Sequence, residues 1–195
     1  MRLFVALDIE PAIRERIALF LRGVEGFAPD ARWAKPESLH VTLKFIGEQS
    51  VEALPQIQQA LAAIVSEPVP LRFRGHGFFP SITAPRVFWA GIESSLALPA
   101  LARQVDSTLF ALGIPTEAHA FTPHLTLARG DSGAPRRGKD DKPNLRFAKL
   151  QERLAMMPPL DFGTMTAHEF FLYESKLSPA GSQYRKIWNF TLRQP

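Results

Sequence analysis

The sequence predicts an α+β fold built on an internal duplication, with two similar lobes facing one another. Three observations carry this. Strand-like and helix-like stretches are mixed without the regular strand–helix–strand rhythm of a parallel sheet, which favours mainly antiparallel sheets. The tetrapeptide His40-Val41-Thr42-Leu43 returns as His124-Leu125-Thr126-Leu127. The return has a shared offset: His124 follows His40 by 84 positions (124 − 40), and the apolar run Val87-Phe88-Trp89-Ala90 follows Leu3-Phe4-Val5-Ala6 by the same 84 (87 − 3). One such tetrapeptide arises easily by chance, but a pair in matched context does not, and a solenoid would need a far shorter period.

The elements follow from local pattern. Leu3 to Ala6 is a core strand; the apolar run meets Asp8 too soon to be the apolar centre of a signal sequence or to span a bilayer. A helix is expected over Ala12 to Arg22, and the first motif strand begins at His40. Val51 to Val65 carries Leu54, Ile57, Leu61 and Ile64 on one helical stripe, ended by Pro68. Leu71-Arg72-Phe73-Arg74 alternates apolar with basic and runs through Gly75 to a turn at Pro80. The second unit repeats the order of the first, with a strand at Val87, a helix over Leu98 to Leu112 and the motif at His124. Between Asp131 and Leu150 six basic residues outnumber three acidic ones, a net +3 in a stretch that glycine and proline make a loop in its first part. A helix is expected over Leu145 to Met156, stopped by Pro158-Pro159. Ala167 to Tyr173 and Tyr184 to Leu192 read as a strand pair joined by Ser178-Pro179-Ala180-Gly181.

Composition narrows the class. A chain of 195 residues that is 46% hydrophobic buries a real core, and no separate linker divides it, so residues 1–195 are read as one domain. The absence of cysteine excludes disulfides and thiolate metal ligands and suits a cytoplasmic protein. A net charge of +4 and a pI near 9.7 fit a polyanionic partner.

The motif carries the chemistry. Residues i and i+2 of a strand share a face, so each histidine and its threonine look into one space while Val41 and Leu43, or Leu125 and Leu127, face the core. Two such faces grip a phosphate from opposite sides. Arg129 suits a phosphate clamp, since a guanidinium matches phosphate geometry better than an ammonium. It stands five residues after His124, however, and in an unbroken strand it faces away. The clamp reading requires the strand to end or bulge there. The corresponding residue after His40 is Phe45, so the two lobes are not equivalent. Phe121, three residues before His124, is a candidate for stacking a base, whereas Trp33, Phe78, Phe79 and Tyr173 are read first as packing. His76, His119 and His168 lack a paired threonine and are read as surface or packing residues. The five histidines supply no third close ligand and no i, i+4 pair, so neither a metal nor another cofactor is expected.

The chain resembles the 2H phosphoesterases, in the RNA 2′,3′-cyclic phosphodiesterase branch also labelled 2′-5′ RNA ligase. The resemblance rests on Arg2-Leu3-Phe4-Val5-Ala6-Leu7-Asp8, on Leu39 to Glu48 around the first motif, on Pro123 to Arg129 around the second, on Pro85 to Gly91 and on Phe170 to Ser175. It implies a bilobal fold with a pseudo-twofold axis, helices on the outside, and a central cleft with His40 and Thr42 on one wall and His124 and Thr126 on the other. It implies hydrolysis of an RNA 2′,3′-cyclic phosphate end by a monomer, with His124 as general base on water and His40 as general acid at the 3′ oxygen. Taken alone, the residues leave those two roles exchangeable. Ring opening by water needs a base and an acid on opposite sides of phosphorus, and two imidazoles suit that division; Thr42 and Thr126 are expected to donate to the non-bridging oxygens. Two other classes fit less well. An RNA-binding module without turnover has no use for two acid–base groups. An ATP-independent ligase running the chemistry backwards competes with abundant water, and no P-loop or nucleotidyl-lysine signature marks an energy-coupled ligase.

Overall fold

The computed structural model describes residues 1–130, 145–178 and 181–193. In chain order the elements are β1 (Arg2–Asp8), α1 (Pro11–Val24), β2 (Arg32–Trp33), β3 (His40–Glu48), α2 (Leu54–Ala62), β4 (Val69–Phe79), β5 (Val87–Ser94), α3 (Ala97–Phe110), β6 (His124–Arg129), α4 (Ala148–Ala155), β7 (Asp161–Ala167), β8 (Glu169–Ser178) and β9 (Gly181–Thr191). They form an α+β fold of two antiparallel sheets. One has the order β3-β1-β8-β9 and the other β2-β6-β5-β4-β7.

Local chemistry explains the elements that bring the site together. In β1, Leu3, Val5 and Leu7 enter the main core while Phe4 and Ala6 form a separate cluster with Tyr173 on the opposite face. Each fully buried Leu or Val contributes roughly 1.5–3 kcal/mol, which fixes which face of the strand is turned inward. Pro11 starts α1, where its missing N–H costs nothing, and Ile13, Ile17, Leu21 and Val24 lie on one buried stripe. Leu98, Leu101, Val105 and Leu109 do the same for α3.

The duplication is visible in the strand orders. β3-β1-β8-β9 corresponds to β6-β5-β4-β7, with β2 added outside β6. The chain reaches these positions by exchange. The first sheet is closed by β8 and β9 from the far end of the sequence, and α1, which follows β1, packs on β7 of the other sheet, while α3, which follows β5, packs on β3. One continuous apolar cluster runs through both units.

Three details differ from expectation. The helix expected from Val51 begins as a 3-10 turn, Val51–Ala53, because Pro55 sits in the first turn of α2, and the α-helix ends at Ala62. The expected strand Ala167–Tyr173 is two strands of different sheets: β7 pairs with β4, β8 pairs with β1 and β9, and His168 alone separates them. Of the basic stretch, residues 131–144 lie outside the described residues; Leu145–Phe147 is a 3-10 turn leading into α4. No helix among the described residues is long and apolar enough to cross a membrane.

Candidate active site

The two motif strands share one burial pattern over six residues. From His40 to Phe45, and again from His124 to Arg129, it runs partly exposed, buried, partly exposed, buried, buried, exposed. Simple alternation gives the first four and fails at the fifth. The reason is a bulge at the same place in each strand. Thr42 pairs with Ala6 and Lys44 with Val5, so Leu43 is the extra residue; Thr126 pairs with Trp89 and Ala128 with Phe88, so Leu127 is the extra residue.

Each bulge turns the fifth and sixth residues over. Lys44 and Ala128 go to the core side, and Phe45 and Arg129 come to the side of the histidines. The clamp reading of Arg129 meets its geometric condition, and the charge of Arg129 acts on both His40 and His124. Phe45 takes the equivalent place in the first unit, 54% exposed and 6.2 Å from Phe4 between ring centres. Lys44, only 1% exposed, donates to Asp106 and to the Pro115 carbonyl, each at 2.6 Å, which ties β3 to α3 and to the segment leading to His124.

The histidines are held alike. His40 Nδ1 lies 2.7 Å from the carbonyl oxygen of Ser38, and His124 Nδ1 lies 2.7 Å from that of Thr122. A carbonyl only accepts, so both Nδ1 atoms carry the proton and both Nε2 atoms are left bare towards the cleft. β3 and β6 lie against each other across the two sheets, which brings His40 within electrostatic reach of His124.

Their surroundings differ. His40 is ringed by Phe4, Tyr173 and Tyr184, with ring centres at 4.8, 6.0 and 4.9 Å. His124 meets the edge of Phe79 at 5.0 Å and Trp89 at 6.4 Å. Gly77 makes room for Trp89, since a Cβ there would stand 2.2 Å from the indole. Beside His40 opens a cavity of about 500 Å³ lined by Asp8, Arg14, Ser38, Tyr173, Tyr184 and Lys186, among others. Sequence reasoning missed Phe4, Tyr184, Asp8 and Arg14 here and read Phe79 only as packing. Phe121 is partly buried against the main core, as is Trp33, whose indole donates to the Ala28 carbonyl. His119 and His168 are exposed, and His76 contacts Phe78 and Phe88. Among the described residues no group of three His, Cys, Asp or Glu side chains is placed to hold a metal ion.

Burial pushes His40 down from 6.5 to about 4; the Ser38 carbonyl and Asp8 act upward, and Arg129 and His124 downward. Burial also holds His124 below its ordinary value, with Arg129 adding to the effect and the Thr122 carbonyl opposing it. Both rings are therefore neutral at pH 7. Between pH 6.5 and about 4 the unfolded chain takes up a proton that folded His40 refuses, so stability present above pH 6.5 is lost as pH falls, by at most about 3 kcal/mol. Urea unfolding of wild type and His40→Gln across this window is expected to show a shallower acid loss in the variant; equal slopes would assign the loss elsewhere.

Comparison with known proteins gives a consistent neighbourhood. The family model for LigT like phosphoesterases matches residues 7–89. An RNA 2′,3′-cyclic phosphodiesterase of Archaeoglobus fulgidus is 32% identical over 187 residues, 96% of this chain and 98% of that protein. A protein of the same name from Thermus thermophilus is 32% identical over 205 aligned residues, covering 99% of this chain and 91% of that one. Among solved structures, TT0787 of Thermus thermophilus superposes with a TM-score of 0.77 at 31% identity over 100% of this chain and 99% of its own. E. coli LigT complexed with 3′-AMP gives 0.78 at 26% identity, over 99% and 98% respectively.

Proposed function

Because this chain belongs to the LigT-like phosphoesterase family, we propose that it hydrolyses RNA 2′,3′-cyclic phosphate ends to 2′-phosphomonoesters, by two-histidine acid–base catalysis without a metal. The observation that carries this reading is the pair of histidines, each fixed by a carbonyl as the Nδ1–H form with Nε2 free, each with a threonine on the same strand face. The reading takes the chain as a single domain of two intertwined lobes, monomeric and cytoplasmic. The relatives named as RNA 2′,3′-cyclic phosphodiesterases support the substrate class, and the nucleotide complexed with LigT supports a nucleoside phosphate in the cleft.

His124 Nε2 takes a proton from water, whose oxygen attacks phosphorus in line with the 3′ oxygen. The P–O3′ bond breaks, and the proton on His40 Nε2 passes to the departing O3′. Phosphate remains on the 2′ oxygen. The division of labour is the one the family resemblance implies, and Asp8 beside His40 favours it. Asp8 acts on His40, and a bound phosphodiester adds a second negative charge beside it, so His40 gains its proton as substrate arrives. Arg129 opposes a proton on both rings, and His124, held below its ordinary value by burial, stays neutral, as a base requires. Thr42 and Thr126 hydroxyls donate to the non-bridging oxygens, and Arg129 balances the charge that builds there.

The non-equivalence of the lobes supports the same polarity. The bulge that brings a cation to the His124 wall brings an exposed phenyl ring to the His40 wall, where the ribose and its base would lie. Incubation with 2′,3′-cyclic nucleotides and cyclic-ended oligonucleotides in EDTA, with the product identified by phosphorus NMR, tests the proposal. The expected product is the 2′-phosphate, formed at an unchanged rate. A 3′-phosphate would invert the assigned roles, a requirement for added metal would sink the two-histidine mechanism, and binding without turnover would favour the RNA-binding reading.

A further inference from the structure

We propose that Arg14 is a positioning residue for His40, acting through the turn whose carbonyl fixes the His40 tautomer. This rests on the reading of His40 as the acid that protonates the leaving oxygen. Aromatic rings enclose that imidazole, and its tautomer is set by the Ser38 carbonyl, which closes the 3-10 turn Pro36–Ser38 immediately before β3. Inside the turn the bonds are local: Ser38 N–H and Ser38 Oγ both donate to the Lys35 carbonyl, at 2.9 and 2.8 Å, and Leu39 N–H reaches the Pro36 carbonyl at 3.3 Å. None of these fixes the turn relative to the sheet.

Arg14 supplies that tie. It stands in the first turn of α1, with its side chain 21% exposed. Its Nη1 donates to the Pro36 carbonyl at 2.5 Å, and its Nη2 donates to Asp8 Oδ1 at 2.7 Å and to the Ile9 carbonyl at 2.9 Å. Asp8 is the residue opposite His40 in the β1–β3 ladder, so the guanidinium joins the turn that orients His40 to the strand end beside it. Asp8 is itself held, accepting from Ile9 N–H at 2.9 Å and from Lys186 Nζ. A planar fork with donors aimed in two directions makes this bridge, whereas a single ammonium has to choose between the turn and the carboxylate. With the bridge gone, the Ser38 carbonyl drifts relative to the ring, and the proton is free to sit on either nitrogen. A His40 without a fixed acceptor at Nδ1 is a poor acid, because the bond from Nδ1–H to the Ser38 carbonyl both favours the imidazolium and aims its Nε2–H at the departing O3′.

The test uses the intact chain and the conservative variant Arg14→Lys beside Arg14→Gln. Nitrogen-15 spectra of the imidazoles at neutral pH are expected to show Nδ1–H at both His40 and His124 in wild type, and mixed tautomers at His40 alone in the variants. With a 2′,3′-cyclic mononucleotide, kcat is expected to fall on the order of tenfold, as for loss of a group that orients a reacting side chain, with KM within about twofold. In a His40→Ala background the same substitution is expected to change nothing further, the signature of a residue acting through another. An unchanged His40 spectrum in both variants, or an equal further loss without His40, overturns the proposal. Loss of tautomer order at both histidines in both variants also overturns it, by assigning Arg14 a general folding role. Failure of wild type to turn over the cyclic phosphate would instead sink the functional reading, while the spectra, which need no substrate, still decide the role of Arg14.

Discussion

Replacing either His40 or His124 by alanine is expected to lower turnover of a 2′,3′-cyclic phosphate by on the order of 10² to 10⁴ while the protein stays folded. Both rings are only partly buried and lie off the main apolar core, so their loss leaves the packing of Val41, Leu43, Leu125 and Leu127 intact. The two losses are not expected to multiply, since an acid without its base has no nucleophile to follow and a base without its acid has no leaving group to complete. Steady-state kinetics on the two single variants and the double variant, with circular dichroism as the folding check, decide this. Near wild-type turnover in either single variant would remove that histidine from the chemistry.

Arg129→Ala is expected to cost roughly 10² in kcat/KM, the scale for removing one charged donor from a developing oxyanion. The loss should be similar for a mononucleotide and for an oligonucleotide, because Arg129 stands on the side of the two histidines and not along a more distant part of an RNA chain. A second consequence follows from its charge. Arg129 holds both histidines down, so its removal should move the kcat/KM pH profile upward, and Arg129→Lys should restore the profile better than the rate. Unchanged activity in Arg129→Ala would make it a surface charge despite its position.

The matched motifs and their common offset made the architecture and the four central side chains legible from sequence, because period-2 alternation depends only on neighbours along the chain. Arg129 marks where that reasoning stops. Its parity was wrong for an unbroken strand, and the bulge that corrects it arises from pairing with β5, which no window along β6 contains. The same limit hid the ring around His40: Phe4 comes from β1, Tyr173 from β8 and Tyr184 from β9. Asp8 was visible as a residue that ends an apolar run, but its place opposite His40 is a property of register. Phe121 looked suited to a base from its spacing, and the structure sets it partly against the core while leaving Phe45 exposed. His168 shows a further kind of concealment, where one residue is the whole connection between two sheets and an apolar run on either side reads as continuous.

The exchanged closing strands have a consequence for how the protein acquires its activity during folding. β1 is completed on one side by β3 and on the other by β8, whose partners pair residues as distant as Arg2 and Ser175. A chain emerging in order has made both motif strands long before the strand that flanks β1 exists, and it must close a very long loop before that pairing repays the entropy. Neither half of the duplication is therefore a folding unit in its own right, although each looks like one in the sequence. The surroundings of His40 depend on that closure, since Tyr173 comes from β8 and Tyr184 from β9, so a chain that has not joined them to β1 lacks the aromatic ring around this histidine.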